Sequence, residues 1–167
     1  KRIARNIQFS LALITCLLTQ TLSQAESPES IAEKIRKEYS GGNKDKALKL
    51  AAAGIKKYSE DYSLLTIRGR IYEEAKQHAK AENDYTNVIS KNETDAGIYH
   101  RRGVVRFFQL KFTDSLADFD RFIEMVPSQE PYHWQRGLVH YYAGKYKAGR
   151  KQFEVHQTVN SQDVENA

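Results

Sequence analysis

The side chains best able to carry chemistry here are five histidines, His78, His100, His133, His140 and His156, and a single cysteine, Cys16. Their spacing argues against an active site. No pair of histidines stands in an H-E-x-x-H or comparable ligand interval. His133 and His140 lie two turns apart on one helical face, with no carboxylate or cysteine between them to extend a metal site. No phosphate-cradling glycine loop and no nucleophile motif is present either. The sequence therefore leads us to expect no catalytic residue, no metal ligand and no cofactor. His133 and His140 are expected to fill positions between helices.

The elements that would position these groups announce themselves by period. Arg68-Gly69, Arg102-Gly103 and Arg136-Gly137 recur every 34 residues. Other columns keep the same interval. Leu65, Tyr99 and His133 precede the glycines by four residues, and the small residues Ala81, Ser115 and Gly149 follow them by twelve. Tyr85, Phe119 and Phe153 come four residues later still. Extended backward, the frame puts Ala47 in the small column, Ala51 in the aromatic one and Ile35 where glycine is expected. Four copies result: 28–61, 62–95, 96–129 and 130–163. A period of this length means one supersecondary unit is being stacked, because a single copy cannot bury its own apolar face.

Within each copy, apolar residues at helical spacing predict two amphipathic helices on either side of a short break. Gly41-Gly42-Asn43, Ser59-Glu60-Asp61, Asn92-Glu93-Thr94-Asp95 and Pro127-Ser128 supply turn chemistry. Asp61, Asp95 and Ser128 are expected at or near helix N-caps, and Pro131 in a first helical turn. Glycine in the first helix and a small residue in the second allow two backbones to cross closely, and the aromatic column plugs the gap. The stems of Arg68, Arg102 and Arg136 are expected to cover apolar surface while their heads reach water.

On these columns the chain resembles the tetratricopeptide repeat family. Copy two carries Leu65, Gly69, Tyr72, Ala81 and Tyr85; copy three carries Tyr99, Gly103, Phe112, Phe119 and Pro127; copy four carries Gly137, Gly144, Tyr146 and Phe153. The three arginines stand where the family favours leucine. The resemblance implies an all-α fold, a right-handed superhelix of about four stacked helical hairpins. It also implies a concave groove lined by the first helix of each hairpin. The groove columns are then Thr66, His100 and Trp134; Arg70, Val104 and Leu138; and Glu73, Phe107 and Tyr141. Trp134 is the anchor expected to matter most, since buried aromatics dominate protein interfaces. Phe107 and Tyr141 divide evenly between groove and core, because Phe108 and Tyr142 compete for the same roles. Some family members grip an acidic C-terminus with a clamp of Lys, Asn and Arg. Arg70 and Arg101 could contribute to one, but Thr66, Val104 and Gly97 stand at its remaining positions, so an apolar or helical ligand is expected instead.

The N-terminus reads separately. Lys1, Arg2 and Arg5 precede an apolar run from Ile7 to Leu18, and Ser23-Gln24-Ala25 follows. This is the order of a cleavable export signal, with cleavage expected after Ala25. The run is short for a bilayer span and is interrupted by Gln8, Ser10 and Thr15. Leu13-Ile14-Thr15-Cys16 distantly resembles a lipoprotein box, an alternative that would anchor the chain through Cys16; membrane contact is expected only in that case. The bacterial periplasm is the expected compartment, with secretion or an outer-membrane lipoprotein as alternatives. Asn92-Glu93-Thr94 is a formal glycosylation sequon, relevant in a eukaryotic source.

Charge narrows the partners. The chain carries a formal charge of +5, of which Lys1, Arg2 and Arg5 supply three, so nothing in the remainder calls for nucleic acid. Residues 164–167 fall where a further repeat or a capping helix would begin, which leaves self-association through an uncapped C-terminal face open. The function expected is a non-catalytic interaction adaptor of the cell envelope that binds a peptide or protein in the groove. The alternative is the substrate-recruiting N-terminal part of a longer enzyme, or an envelope lipoprotein acting as a protease adaptor.

Overall fold

In the computed structural model, residues 26–162 are described. The expected signal segment 1–25 with its cleavage site at Ala25, the lipidation alternative at Cys16, and the segment 164–167 lie outside them. The described residues form eight α-helices and one 3-10 helix. In chain order these are α1 (Pro28–Ser40), α2 (Lys44–Lys57), α3 (Ser63–Glu74), α4 (His78–Lys91), α5 (Ala96–Phe108), α6 (Phe112–Met125), the 3-10 helix (Pro127–Tyr132), α7 (Trp134–Tyr142) and α8 (Tyr146–Gln157). The fold is all-α, with helices packed as four consecutive hairpins, α1–α2, α3–α4, α5–α6 and α7–α8.

Each hairpin turns by the same local chemistry. Gly42, Lys76, Leu110 and Gly144 all have positive φ, between 58° and 82°, at the one position where the chain reverses. The next residue then closes back onto the helix. The amides of Asn43, Gln77, Lys111 and Lys145 donate to the carbonyls of Glu38, Tyr72, Arg106 and His140, at 2.8 to 3.0 Å. This six-to-one closure satisfies carbonyls that a helix end would otherwise orphan. The starts are less uniform. At α1, Ser27 and Ser30 exchange backbone and side-chain hydrogen bonds as a capping box, with Pro28 in the first turn.

Of the expected starts, those at Asp61 and Asp95 hold by position and the one at Ser128 and Pro131 moves. Asp61 is a near-cap that accepts from the Ser63 amide at 2.8 Å, while Tyr62 holds the cap position of α3. Asp95 caps α5 by position only, with no side-chain bond to the helix. Ser128 and Pro131 fall inside the 3-10 helix, and the fourth hairpin begins at Trp134, capped by the His133 side chain. An α-helix begun at Pro127 would need the amide of its fifth residue, which Pro131 lacks, and the Pro131 ring would clash with the carbonyl four residues back, so the stretch stays 3-10.

The glycine column exists because the aromatic column rests on it. A Cβ on Gly69 would stand 2.7 Å from the Tyr85 ring, one on Gly103 2.6 Å from Phe119, and one on Gly137 2.9 Å from Phe153. The small column faces the same crossing from the other helix. Ala81 is fully buried, the Ser115 hydroxyl donates to the Gly103 carbonyl at 2.7 Å, and a Cβ on Gly149 would meet the Gly137 carbonyl at 3.0 Å. The first hairpin reaches the same density with the bulk transposed. Ile35 occupies the glycine column and Ala51 the aromatic one, and both are fully buried in one cluster with Ile31, Ala47 and Leu64.

The arginine column corrects the expectation of heads in water. Arg68 forms a two-pronged pair with Asp84, at 2.8 and 2.6 Å, and Arg102 does the same with Asp118, at 3.0 and 2.7 Å. Asp84 and Asp118 are 1% and 3% exposed. The fourth hairpin repeats the geometry with a neutral partner, since Arg136 donates to Gln152 at 2.8 Å. In the last three hairpins the second helix is thereby stapled to the first.

Candidate functional site: the concave face of the first helices

Stacking places α1, α3, α5 and α7 side by side, and two hollows open on the face they share. The larger, about 470 Å³, lies between α5 and α7 under the 3-10 helix. Its chemistry comes from Glu73, His100, Arg101, Tyr132, Trp134 and Gln135. The smaller, about 150 Å³, lies between α1 and α3, where Ile35, Ile67 and Ile71 form the floor and Arg36, Arg70 and Glu74 the rim.

The larger hollow has a polar wall and an aromatic one. On the polar side Glu73 accepts from the Tyr85 hydroxyl at 2.5 Å and from Arg101 at 3.2 Å, so a carboxylate from α3 holds an arginine from α5 in place. Burial and the Glu73 bond together push the Tyr85 phenol up, keeping it a donor. On the aromatic side His100 meets His133 edge-on, with centroids 5.0 Å apart, and both rings pack against Phe119 and Phe122. Burial lowers the His133 pKa to about 4, with His100 and Arg136 adding to the effect. Burial lowers that of His100 too, with Arg101 contributing. Both imidazoles are thus neutral at pH 7. His133 uses its Nδ1 to accept from the Arg136 amide at 3.2 Å, which fixes the proton on Nε2.

Of the nine groove residues named from sequence, Glu73, His100 and Trp134 meet in the larger hollow and Arg70 lines the smaller one. Thr66 is turned to its own helix, its hydroxyl donating to the Tyr62 carbonyl at 3.1 Å. Val104 and Phe107 pack against the core cluster of Leu116, Phe119 and Val139. Phe107 meets Tyr142, at 5.8 Å, in preference to Tyr141. Leu138 is half-buried and lines neither hollow. Tyr141 is exposed and leans on Tyr142 and Tyr146 at the hairpin end. Arg101 entered the sequence reading only through the clamp, and Tyr132 and Gln135 did not enter it. Residues 101 and 135 are themselves 34 apart and each follows a groove residue, so the period held the signal.

Among the described residues no cluster of His, Cys, Asp and Glu is arranged to hold a metal ion. Arg101 is already engaged by Glu73, and Gly97 beside it brings no side chain. The arrangement offers flat aromatic surface, hydrogen-bonding amides and a fixed cation, the chemistry of non-covalent recognition.

No protein-family model matches the chain. It is 30% identical over 97 residues to RNA polymerase II-associated protein 3 of Mus musculus and 29% identical over 98 residues to that of Homo sapiens. These matches take in 58% and 59% of this chain and 15% of each relative, so the chain spans a small part of the curated proteins it resembles. Among solved structures, a tetratricopeptide repeat protein from Parabacteroides merdae superposes with a TM-score of 0.75 at 21% identity, covering 85% of this chain and 57% of that one. MamA superposes at 0.72 and 16%, covering 78% and 76%. The first repeat domain of Spaghetti (RPAP3), solved bound to the HSP90 peptide SRMEEVD, gives 0.63 and 24%, covering 70% and 95%. The 34-residue period, the interlocking glycine and aromatic columns and these superpositions together show that the chain has the fold of the tetratricopeptide repeat proteins.

Proposed function

We propose that this chain is a non-catalytic interaction scaffold that binds a peptide or a short helical segment of a partner protein across its concave face. The observation that carries the reading is the hollow between α5 and α7, whose lining brings Trp134, His100 and Tyr132 together with Arg101. A fixed arginine among aromatic surfaces is the composition of an interface anchor. The peptide held by the Spaghetti repeat domain supports the same mode of use for this fold. Ligand class differs, because Arg101 is committed to Glu73 and Gly97 lacks a donor; a segment with an apolar or aromatic side chain fits the hollow better than a free acidic terminus. The basic and apolar order of residues 1–25 supports export, with action in a bacterial periplasm. A second reading, a recruiting module within a longer protein, is favoured by the 15% share of the curated relatives that such repeats occupy.

Trp134 is the one tryptophan of the chain, so intrinsic fluorescence reports on this hollow alone. A photocrosslinker at position 134 of the full chain in its native cell captures the partner, and peptides tiled from that partner are titrated against the purified protein. A tryptophan shift with one tile, weakened about tenfold or more by Gln135→Ala, sustains the reading. Saturation by SRMEEVD with no response to any apolar tile, or no tryptophan response at all, overturns it.

A further inference from the structure

The edge of the stack formed by the four hairpin turns differs in kind from the opposite edge. Three of its four turns carry a lysine, Lys76, Lys111 and Lys145, and Lys44 opens α2 after the first. The opposite edge, residues 58–62, 92–95 and 126–133, carries Glu60, Asp61, Glu93, Asp95 and Glu130 and neither lysine nor arginine. The hairpin edge also carries exposed apolar groups. Leu110 is 73% exposed and Phe108 is 59% exposed. These two sit inside the array, with the fourth hairpin following them, so their exposure does not come from lying at the end of the stack.

Leu110 breaks two local preferences at once. Its φ of 61° is the left-handed region, which crowds a leucine's Cβ and where the first and fourth turns use glycine. Its side chain recovers nothing by burial. Phe108 stacks on His78 of the preceding hairpin, with centroids 5.0 Å apart, and also touches Phe107. Phe107 and Phe112 in turn meet Tyr142 of the next hairpin at 5.8 and 5.3 Å. The result is a continuous ring ladder along one edge, crossing three hairpins. Lys76, Lys145 and Lys147 flank it without an ion pair among the described residues, while Lys111 is tied to Glu82 at 2.6 Å.

We propose that this hairpin-turn edge docks on an anionic membrane surface, with Leu110 and Phe108 entering the headgroup boundary and Lys76, Lys145 and Lys147 meeting lipid phosphates. Among the described residues no helix is long and apolar enough to cross a bilayer, so the contact is interfacial. Phe108 and Tyr142 are the exposed rings of the ladder, Leu110 stands at the turn tip beside them, and neither groove hollow includes these three. A partner protein would have to present a matching pocket for Leu110, whereas a bilayer boundary accepts protruding apolar and aromatic groups of any outline. Free lysines beside such groups add attraction to anionic lipid. This contact requires neither Cys16 nor the groove, so the scaffold reading and this one can fail separately.

The test uses the full chain carrying Cys16→Ser, with an environment-sensitive fluorophore placed through Leu110→Cys or, on the opposite edge, Glu93→Cys. Both proteins are mixed with phosphatidylcholine vesicles with and without phosphatidylglycerol. The expected result is a blue shift at position 110 with anionic vesicles only, reversed by high salt, and none at position 93. In unlabelled protein, Lys76→Glu with Lys145→Glu should weaken partitioning at least ~10-fold, at about 1 kcal/mol for each surface lysine. Residues 1–25 are present in every protein compared, so the differences report on the edge. No shift at position 110, equal shifts at both positions, or unchanged partitioning of the charge-reversed protein overturns the proposal.

Discussion

The third and fourth hairpins share a geometry and differ in what holds it. In the third, Arg102 closes on Asp118, and Arg106 joins the same carboxylate at 2.8 Å while also donating to Glu82 of the hairpin before it at 2.9 Å. In the fourth, the equivalent partner is the neutral Gln152, and Arg136 turns for charge to Asp120 of the hairpin before it, at 2.7 Å. Gln152 and His156 are themselves tied to the 3-10 helix, through the carbonyls of Glu130 and Pro131. The third hairpin thus has a charged staple of its own besides its ties to Glu82, whereas the staple of the fourth is neutral and its arginine takes a carboxylate from the hairpin before it. Equal backbone geometry therefore does not imply equal autonomy.

Removing one charge should separate the two most sharply. Asp118→Ala leaves Arg102 without a carboxylate and Arg106 with Glu82 alone, and breaking a buried pair from one side costs about 3–5 kcal/mol. Chemical denaturation that places the loss below 1 kcal/mol would mean the staple is an ornament of the fold.

Acid should act next, and on the opposite partner. Burial depresses the His133 pKa from 6.5 to about 4, so the folded state resists a proton that the unfolded chain accepts. The stability this gives is present above pH 6.5 and is lost as pH falls toward 4, about 3 kcal/mol at most by linkage. His140 shifts in the same direction, chiefly through burial. Hydrogen exchange across that window should show α7 and α8 opening before α3 and α4, and His133→Phe should blunt the difference. Uniform loosening of all four hairpins would remove the distinction.

Gly103→Ala tests the shared geometry itself. The added methyl meets the Phe119 ring at 2.6 Å, and overpacking of this kind costs about 1–3 kcal/mol, offset in part by alanine's better helix propensity. The smallest effect is expected at Gln152→Ala, about 1 kcal/mol for a neutral hydrogen bond. A Gln152→Ala loss equal to that of Asp118→Ala would erase the contrast between the hairpins.

Much of this architecture was legible because packing constrains size more tightly than chemistry. The alternation of Gly69 with Tyr85 and of Gly103 with Phe119 is a volume rule, and a volume rule repeats faithfully. The arginine heads were misread because an arginine considered alone defaults to water. Its partner column, Asp84, Asp118 and Gln152, has the same period and stands sixteen residues on, but only the folded hairpin brings the two together. The groove was legible in outline. A column assignment says which helix face a residue occupies, and neighbours decide the rest. Val104 and Phe107 fall to the core because α6 and α7 close over them, whereas Trp134 borders a hollow that the 3-10 helix helps enclose.

The transposed bulk of the first hairpin, Ile35 against Ala51, limits how this array can be recombined. Each hairpin matches a large residue on one helix to a small one on the other, and the first makes that match in the reverse sense. A chimaera joined between hairpins inherits complete pairs. One joined at Gly42, between α1 and α2, sets Ile35 against an aromatic or glycine against alanine, doubling the bulk in one product and emptying the crossing in the other. The unit that can be exchanged here is therefore the whole hairpin.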